Sequence, residues 1–398
     1  MEFLSTRVIN MTESATIAMA QKARDLKAQG VDVISLSLGE PDFKTPEHIR
    51  KAAMEAIQSG EYFGYPPVPG YQDFREAIAD KFKRENGIDC TAANILVSTG
   101  AKQSIANLMM AMLDPGDEVI VLSPYWVSYA DIVKVTEGKP VFVKGSMEKN
   151  FKASAAQIEA AISPRTKMII YSSPCNPTGE VFTRKEIESF VTMLQDYPTI
   201  YVVSDEIYEH INFTEDRVSI GSNPEMRDRV ITINGVAKAF AMTGWRIGYM
   251  CAPEPIVKAC SKIQSQSTSG ANSIAQRAAL AAITTDLAPT KAMAAEYLAR
   301  RDLVYSWLQE IPGVKVLLPS GAFYFFPQVD YYFGKSWGSY QVNNANDLCL
   351  YLLQEAHVSL VSGDAFGSPE CVRLSYAASR EALKEALNRI KSALAKLS

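Results

Sequence analysis

ILVSTGAKQSIANLMMAMLDPGDEVIVLSPYW, residues 95–126, is a strand, a glycine turn, a helix and a second strand, and it sets the reading of the whole chain. Ile95–Ser98 is a short β-rich run. Ser98-Thr99-Gly100-Ala101-Lys102-Gln103 then turns through glycine into a helical pattern over Gln103–Leu113, and the next β-rich run is Glu118–Leu122. A helix joining two strands is the unit of a parallel sheet, because parallel neighbours need a long crossover. The alternation continues through Pro140–Val143, Met168–Ser172, Ile200–Ser204, Val230–Ile233 and Ile247–Cys251. These runs predict an α/β domain whose mostly parallel, seven-stranded sheet is flanked by helices.

Beyond this region the rhythm changes. A long polar helix over Leu287–Gln309 is followed by expected strands Val314–Leu317 and Phe323–Phe326, then a helix over Ala345–Ala356. The chain closes on an amphipathic helix in which Leu383, Leu387, Ile390, Leu394 and Leu397 recur at helical spacing, with Ser379 as its N-cap. An N-terminal helix, Thr16–Gln29, has no sheet partner of its own. With 398 residues, the chain exceeds the size at which one core stops growing. The expected division is a large α/β domain over 48–285 and a smaller α+β domain built from 1–47 and 286–398.

Composition narrows the chemistry. Apolar residues make up 47% and charged residues 21% of the chain, the balance of a globular protein. The net charge of −4, with both signs dispersed, offers no basic stripe for a phosphate backbone, so a nucleic-acid partner is not expected. No apolar run reaches the roughly 18 residues of a membrane span, and Met1–Asn10 carries charges where a signal peptide would be apolar. The expected location is the cytoplasm, without a membrane partner. Six cysteines lack CxxC pairing and there are three histidines, a spacing that suggests neither a disulfide framework nor a metal site.

Open parallel sheets place ligands beyond the carboxyl ends of their strands, and five unusual segments stand there. The Gly100 turn, with Ala101 and Lys102, opens a helix whose backbone N–H groups can meet an anion, although many such turns bind nothing. Trp126 follows the Glu118–Leu122 strand and could lie against a flat ring or simply pack. Ser173-Pro174-Cys175-Asn176-Pro177-Thr178-Gly179 is a stiff loop that can present the Asn176 amide, and by itself is only a turn. Asp205, after the apolar run Ile200–Val203, is costly to bury without a cation, yet also reads as a helix N-cap. Lys238 stands among small and apolar residues, where loss of hydration lowers an amine's pKa and makes it a nucleophile for carbonyls.

Taken in order and spacing, these segments resemble the fold type I pyridoxal-phosphate enzymes, and specifically class I aminotransferases of the bacterial aspartate aminotransferase type. The likeness runs from Leu38-Gly39-Glu40-Pro41-Asp42-Phe43 to Val372-Arg373-Leu374-Ser375-Tyr376, with Arg246 eight residues after Lys238. It implies pyridoxal 5'-phosphate as cofactor, held by Lys238 as a Schiff base, with Lys238 also carrying the proton of the reaction. Asp205 would meet the pyridine nitrogen, Asn176 and Tyr208 the phenolic oxygen, and Trp126 the ring face. Gly100, Ala101, Lys102 and Arg246 would hold the phosphate, reached also by Tyr65 from the second subunit of a homodimer. Arg373 and the Gly39 backbone would bind the substrate α-carboxylate.

For specificity, the resemblance assigns Lys102, helped by Ser14 and Thr16, to the distal carboxylate of a dicarboxylic substrate, although Ser14 and Thr16 also read as a helix cap. The implied reaction is ping-pong transamination of L-aspartate with 2-oxoglutarate to oxaloacetate and L-glutamate, with amino acids and 2-oxo acids as partners. Prephenate or aromatic 2-oxo acids as acceptors, or a lyase reaction on the same scaffold, are the alternatives. Two departures stand out: Gly235 and Ala237 occupy positions where many members carry serines, and Cys175 stands where a second asparagine is common.

Overall fold

Seven strands form one sheet: β1 (Ile95–Ser98), β2 (Glu118–Ser123), β3 (Lys139–Lys144), β4 (Thr166–Ser172), β5 (Tyr201–Asp205), β6 (Val230–Gly235) and β7 (Gly248–Cys251). They correspond to the seven expected runs with ends moved by a residue or two. The structure, a computed structural model, describes residues 3–9 and 11–398, so Met1, Glu2 and Asn10 of the charged N-terminal run lie outside the described residues. The strand order is β1-β7-β6-β5-β4-β2-β3. Only β7 runs against its neighbours, pairing Cys251 with both Ile95 and Thr232. The other pairs are parallel.

Helices cover both faces, which explains why the central strands are apolar on both sides. On one face Leu108 and Met109 of helix Ala101–Met112 and Cys260 of helix Glu254–Ser267 pack on Val121, Ile170, Val203 and Ile231. On the other, Ile187, Phe190 and Leu194 of helix Arg184–Leu194 pack on Ile120, Ile169 and Val202. Alternate residues of one strand thus face opposite layers, as the period of two requires.

A second group of elements shares a different core. Met19 and Ala23 of helix Ala15–Ala28 join residues of helices Ala288–Gln309, Ala345–Glu355 and Arg380–Leu394. Ser379 caps the last helix, its hydroxyl accepting from the Ala382 N–H at 3.2 Å, and Leu397 stays buried past the helix end. Val372–Ser375 is the middle strand of a three-stranded antiparallel sheet, between Val361–Ser362 and Tyr324–Phe325. Segment 34–37 is tied in beside it: the Leu36 N–H donates to the Ser359 carbonyl and the Ser375 N–H to the Leu36 carbonyl.

The expected strand Val314–Leu317 does not form. Lys315 and Gln328 exchange both backbone N–H groups in a single antiparallel bridge, and Pro312 and Pro319, which bound the segment on either side, leave it little length for a longer ladder. The expected strand Phe323–Phe326 shortens to Tyr324–Phe325. All six cysteines are free thiols. Among the described residues no helix is long and apolar enough to cross a membrane.

Candidate active site

The topology gathers the unusual segments at one edge of the sheet. The turns after β1, β2, β4, β5 and β6 carry Gly100, Trp126, Asn176, Ile207 and Lys238, and β7, running the opposite way, brings Arg246 to the same edge just before it begins. Since Ser98 and Gly248 are register partners, Arg246 and Gly100 become neighbours. Together with Gly39 and Arg373 they line one cavity of about 280 Å³.

Lys238 is partly buried, and its ammonium donates to the Gly39 carbonyl at 2.5 Å while facing the rings of Tyr208 at 5.7 Å and Phe323 at 5.9 Å. Burial, helped by the positive charges of Arg373 and Arg246, brings its pKa down to about 8 against the opposing pull of Glu40 and Asp205. A large share of the amine is therefore neutral, and nucleophilic, at mildly alkaline pH.

Asp205 ends β5. Its carboxylate accepts the Tyr129 hydroxyl at 2.6 Å and the Ile207 N–H at 3.2 Å. Burial outweighs these two neutral donors and lifts its pKa to about 6. The group therefore invites a cationic partner. The same shift opposes folding of the ligand-free protein. A folded-state pKa near 6 against an ordinary 3.8 means that the stability contribution is complete below about 3.8 and is lost as pH rises through 6. The loss is on the order of 3 kcal/mol. In thermal melts of ligand-free protein between pH 4 and 7, Asp205→Asn is expected to flatten this pH dependence. Parallel curves for the two proteins would count against a strained carboxylate.

The anion cradle is built by close approach. Gly100, at φ 81°, precedes the helix Ala101–Met112. A Cβ there would collide with the Arg246 guanidinium, and one on Gly248 with the Ala101 backbone nitrogen. N–H groups at a helix start, with an arginine against them, suit a phosphate, although the Gly100 N–H itself donates to the Ser98 carbonyl at 2.8 Å. Arg246 is itself left-handed, at φ 58°, and donates to the Thr243 carbonyl at 3.0 Å. Lys102 lies with its ammonium 4.9 Å from the Trp126 ring, its pKa lowered by burial and then by Arg246.

Arg373 is 2% exposed. Its Nη1 donates to Asn176 Oδ1 at 2.8 Å and its Nη2 to the Ser37 carbonyl at 2.5 Å, while its Nε has no partner among the described residues. The guanidinium lies 4.7 Å from the Tyr324 ring and 4.9 Å from Phe366. A buried cation with neutral partners and a free donor is prepared for a carboxylate.

Ser14 and Thr16 also line the cavity. Neither acts as a cap: Ser14 makes no side-chain cap hydrogen bond, and the Thr16 hydroxyl is buried without a partner. Tyr65 is not brought to this cavity. It is 97% exposed on the surface of the single chain. Of the two departures noted above, Gly235 has no room for a Cβ, which would press on the Gly248 Cα and the Ile247 carbonyl, whereas Ala237 lines the cavity directly. Cys175 donates its thiol to the Pro124 carbonyl at 3.6 Å.

Two residues of the site escaped sequence reading. Tyr129 lies one helical turn beyond Trp126, and that spacing is the sole local signal for it. Tyr324, whose hydroxyl is 2.7 Å from that of Tyr208, has none. Elsewhere, Glu85, Glu209 and His210 bring ligand-type atoms within 4.8 Å of one another, but the Lys81 ammonium already sits there, bonded to Glu209 and to Asn86 at 2.8 Å.

A nucleophilic amine, a buried carboxylate without a salt-bridge partner among the described residues, a tryptophan face and a phosphate cradle make four separate demands on a ligand. Pyridoxal phosphate answers all four with its aldehyde, pyridinium nitrogen, ring and phosphate, so sheet and site together define a fold type I pyridoxal-phosphate enzyme. A family model described as aminotransferase class I and II matches residues 31–390. The chain belongs to this family: it is a pyridoxal-phosphate-dependent aminotransferase, acting on amino acids and 2-oxo acids. It is 46% identical over 395 residues to a probable aspartate/prephenate aminotransferase of Rhizobium leguminosarum bv. phaseoli, covering 98% of each chain. To the aspartate/prephenate aminotransferase of Nitrosomonas europaea it is 44% identical over 98% of this chain and 99% of the other. Among solved structures, the aspartate aminotransferase of Rhizobium meliloti superposes with a TM-score of 0.95 at 41% identity, covering 99% of both chains. That of Thermus thermophilus with maleate gives 0.93 at 42% identity, covering 99% of this chain and 100% of the other.

Proposed function

We propose that the enzyme transfers the amino group of L-aspartate to 2-oxoglutarate in two half-reactions, releasing oxaloacetate and then L-glutamate. The observation that carries this reading is that two cations, Arg373 and Lys102, line one cavity with Lys238. A dicarboxylate meets a cation with each end: Arg373 and the Gly39 backbone take the α-carboxylate, and Lys102 with Ser14 and Thr16 takes the distal one. The Thermus thermophilus relative with maleate, a dicarboxylate, supports the same pocket chemistry.

The cofactor, when bound, supplies an aldehyde to accept the amino group and a ring that withdraws electrons from the substrate α-carbon. Lys238 anchors it and then moves the proton at the substrate α-carbon. Asp205 holds the pyridine nitrogen protonated, Asn176 and Tyr208 donate to the phenolic oxygen, and Trp126 covers the ring. Backbone N–H groups at Gly100, Ala101 and Lys102, with the Arg246 guanidinium, hold the phosphate. Tyr65 of the partner subunit completes that cradle in a homodimer, which is consistent with its exposure beside the exposed Phe63. Residues 48–285 form the cofactor domain, and 1–47 with 286–398 form the small domain. Supporting this division, Met19–Leu36 and Tyr297–Leu397 share one apolar core, which Tyr208 and Ile211 of the cofactor domain join at the boundary. The cytoplasm is the proposed location.

Aspartate alone, added to enzyme loaded with cofactor, is expected to release oxaloacetate in proportion to active sites before any 2-oxo acid is present. Release of carbon dioxide and L-alanine from aspartate, or of ammonia and pyruvate from a sulfur amino acid with no 2-oxo acid present, would establish the lyase alternative. Lys102→Ala should raise KM for aspartate about 10- to 100-fold, the worth of a charged hydrogen bond, and leave aromatic amino acids unaffected. An equal loss for both substrates would remove Lys102 from specificity. Prephenate or aromatic 2-oxo acids are a second acceptor reading, favoured by the naming of the relatives from Rhizobium leguminosarum bv. phaseoli and Nitrosomonas europaea. Steady-state rates with prephenate in place of 2-oxoglutarate decide it.

A further inference from the structure

We propose that Tyr324 is a positioning residue whose hydroxyl donates to the Tyr208 oxygen and thereby commits the single Tyr208 proton to the cofactor's phenolic oxygen. The proposal rests on the reading of the Lys238 site given above and deepens it. The two hydroxyls are 2.7 Å apart, both residues are buried, and their rings meet edge to face at 5.7 Å. A tyrosine hydroxyl has one proton and can accept through its lone pairs. If Tyr208 donates to the cofactor, the bond between the tyrosines has a proton only if Tyr324 supplies it. Tyr208 then accepts one hydrogen bond while donating another, and a chain of this kind strengthens its terminal donor.

The surroundings of Tyr324 favour the donor role. The Arg373 guanidinium over its ring at 4.7 Å draws electron density from the phenol, and that charge opposes the rise in pKa that burial brings. Its hydroxyl occupies the space a Cβ of residue 39 would fill, so Gly39 leaves it undisturbed. Tyr324 thus touches the carboxylate-binding arginine, the Gly39 backbone and Tyr208, although it lies 116 residues from Tyr208 in the chain. It lines the cavity with all three.

The test is spectroscopic. The visible absorbance of the linkage between Lys238 and the cofactor changes with pH as the linkage nitrogen titrates. Donors to the phenolic oxygen stabilise its negative charge without the linkage proton and lower that midpoint. Tyr324→Phe, which removes only the hydroxyl, should raise the midpoint by about half a pH unit and weaken cofactor binding to the ligand-free enzyme a few-fold. Tyr208→Phe should raise the midpoint further, and adding Tyr324→Phe to it should then change nothing, because Tyr324 acts through Tyr208. Tyr324→Leu serves the same measurement should the phenylalanine variant not fold. An unmoved midpoint in the single variant, or an equal shift with and without Tyr208, overturns the proposal while leaving the site reading intact. A visible band that persists in Lys238→Ala overturns the site reading, and the proposal with it.

Discussion

Lys238→Ala is expected to give a folded protein in which oxaloacetate release from aspartate is slowed by at least about 10⁴-fold, the upper range of general acid–base catalysis, with loss of the covalent anchor added. Folding should survive because, among the described residues, the hydrogen bond removed is the one to the Gly39 carbonyl, and the substitution takes a poorly solvated charge out of a partly buried position. The decisive measurement is a single turnover with aspartate on cofactor-saturated protein, since saturation separates chemistry from weakened binding. A residual rate within about a hundredfold of the unmodified enzyme would eliminate Lys238 as the group that moves the proton. The amine's pKa near 8 adds a pH signature. Loading of ligand-free protein with pyridoxal phosphate should accelerate as pH rises towards 8, where the neutral amine accumulates, and the alanine variant should show no such acceleration.

Arg373→Ala is expected to raise KM about 30- to 3,000-fold for every amino acid. That range corresponds to the roughly 2–5 kcal/mol cost of truncating one partner of a buried, hydrogen-bonded charge pair. The residue is 2% exposed, has neutral hydrogen-bond partners and keeps one donor free, so a substrate carboxylate is the anion its position requires. Arg373→Lys should recover little, because a point charge cannot reproduce the planar fork. Aspartate and an aromatic amino acid should suffer alike, since both carry the α-carboxylate. That shared loss separates Arg373 from Lys102, whose removal should affect dicarboxylates only. A KM increase confined to aspartate would exchange the two roles and overturn the orientation proposed for the substrate.

Much of this site is legible in the chain because its signals are local. The strand runs, the Gly100 turn and the apolar setting of Lys238 depend on period, turn chemistry and near neighbours, so residues alone mark them. Helix Ala101–Met112 begins two residues earlier than its pattern suggests, immediately after the glycine. The segment Val314–Leu317 shows the opposite case: its β-rich residues meet the facing strand at a single bridge, Lys315 to Gln328, because strand formation depends on how the facing segment packs and not on local propensity alone.

By itself, then, the sequence determined the α/β alternation, the order of the cofactor segments and the residue types that demand an aldehyde, a cation and an anion. Tertiary structure alone decided the reversal of the last strand and side-chain pairing across long separations. The reversed β7 sets Arg246 against Gly100. Tyr129 reaches Asp205 across 76 residues, and Tyr324 reaches Tyr208 across 116. The physical reason is that periodicity records which face of an element is buried, but a hydroxyl's partner on another element leaves no trace in spacing. Such contacts exist only once register and packing have brought the two side chains together.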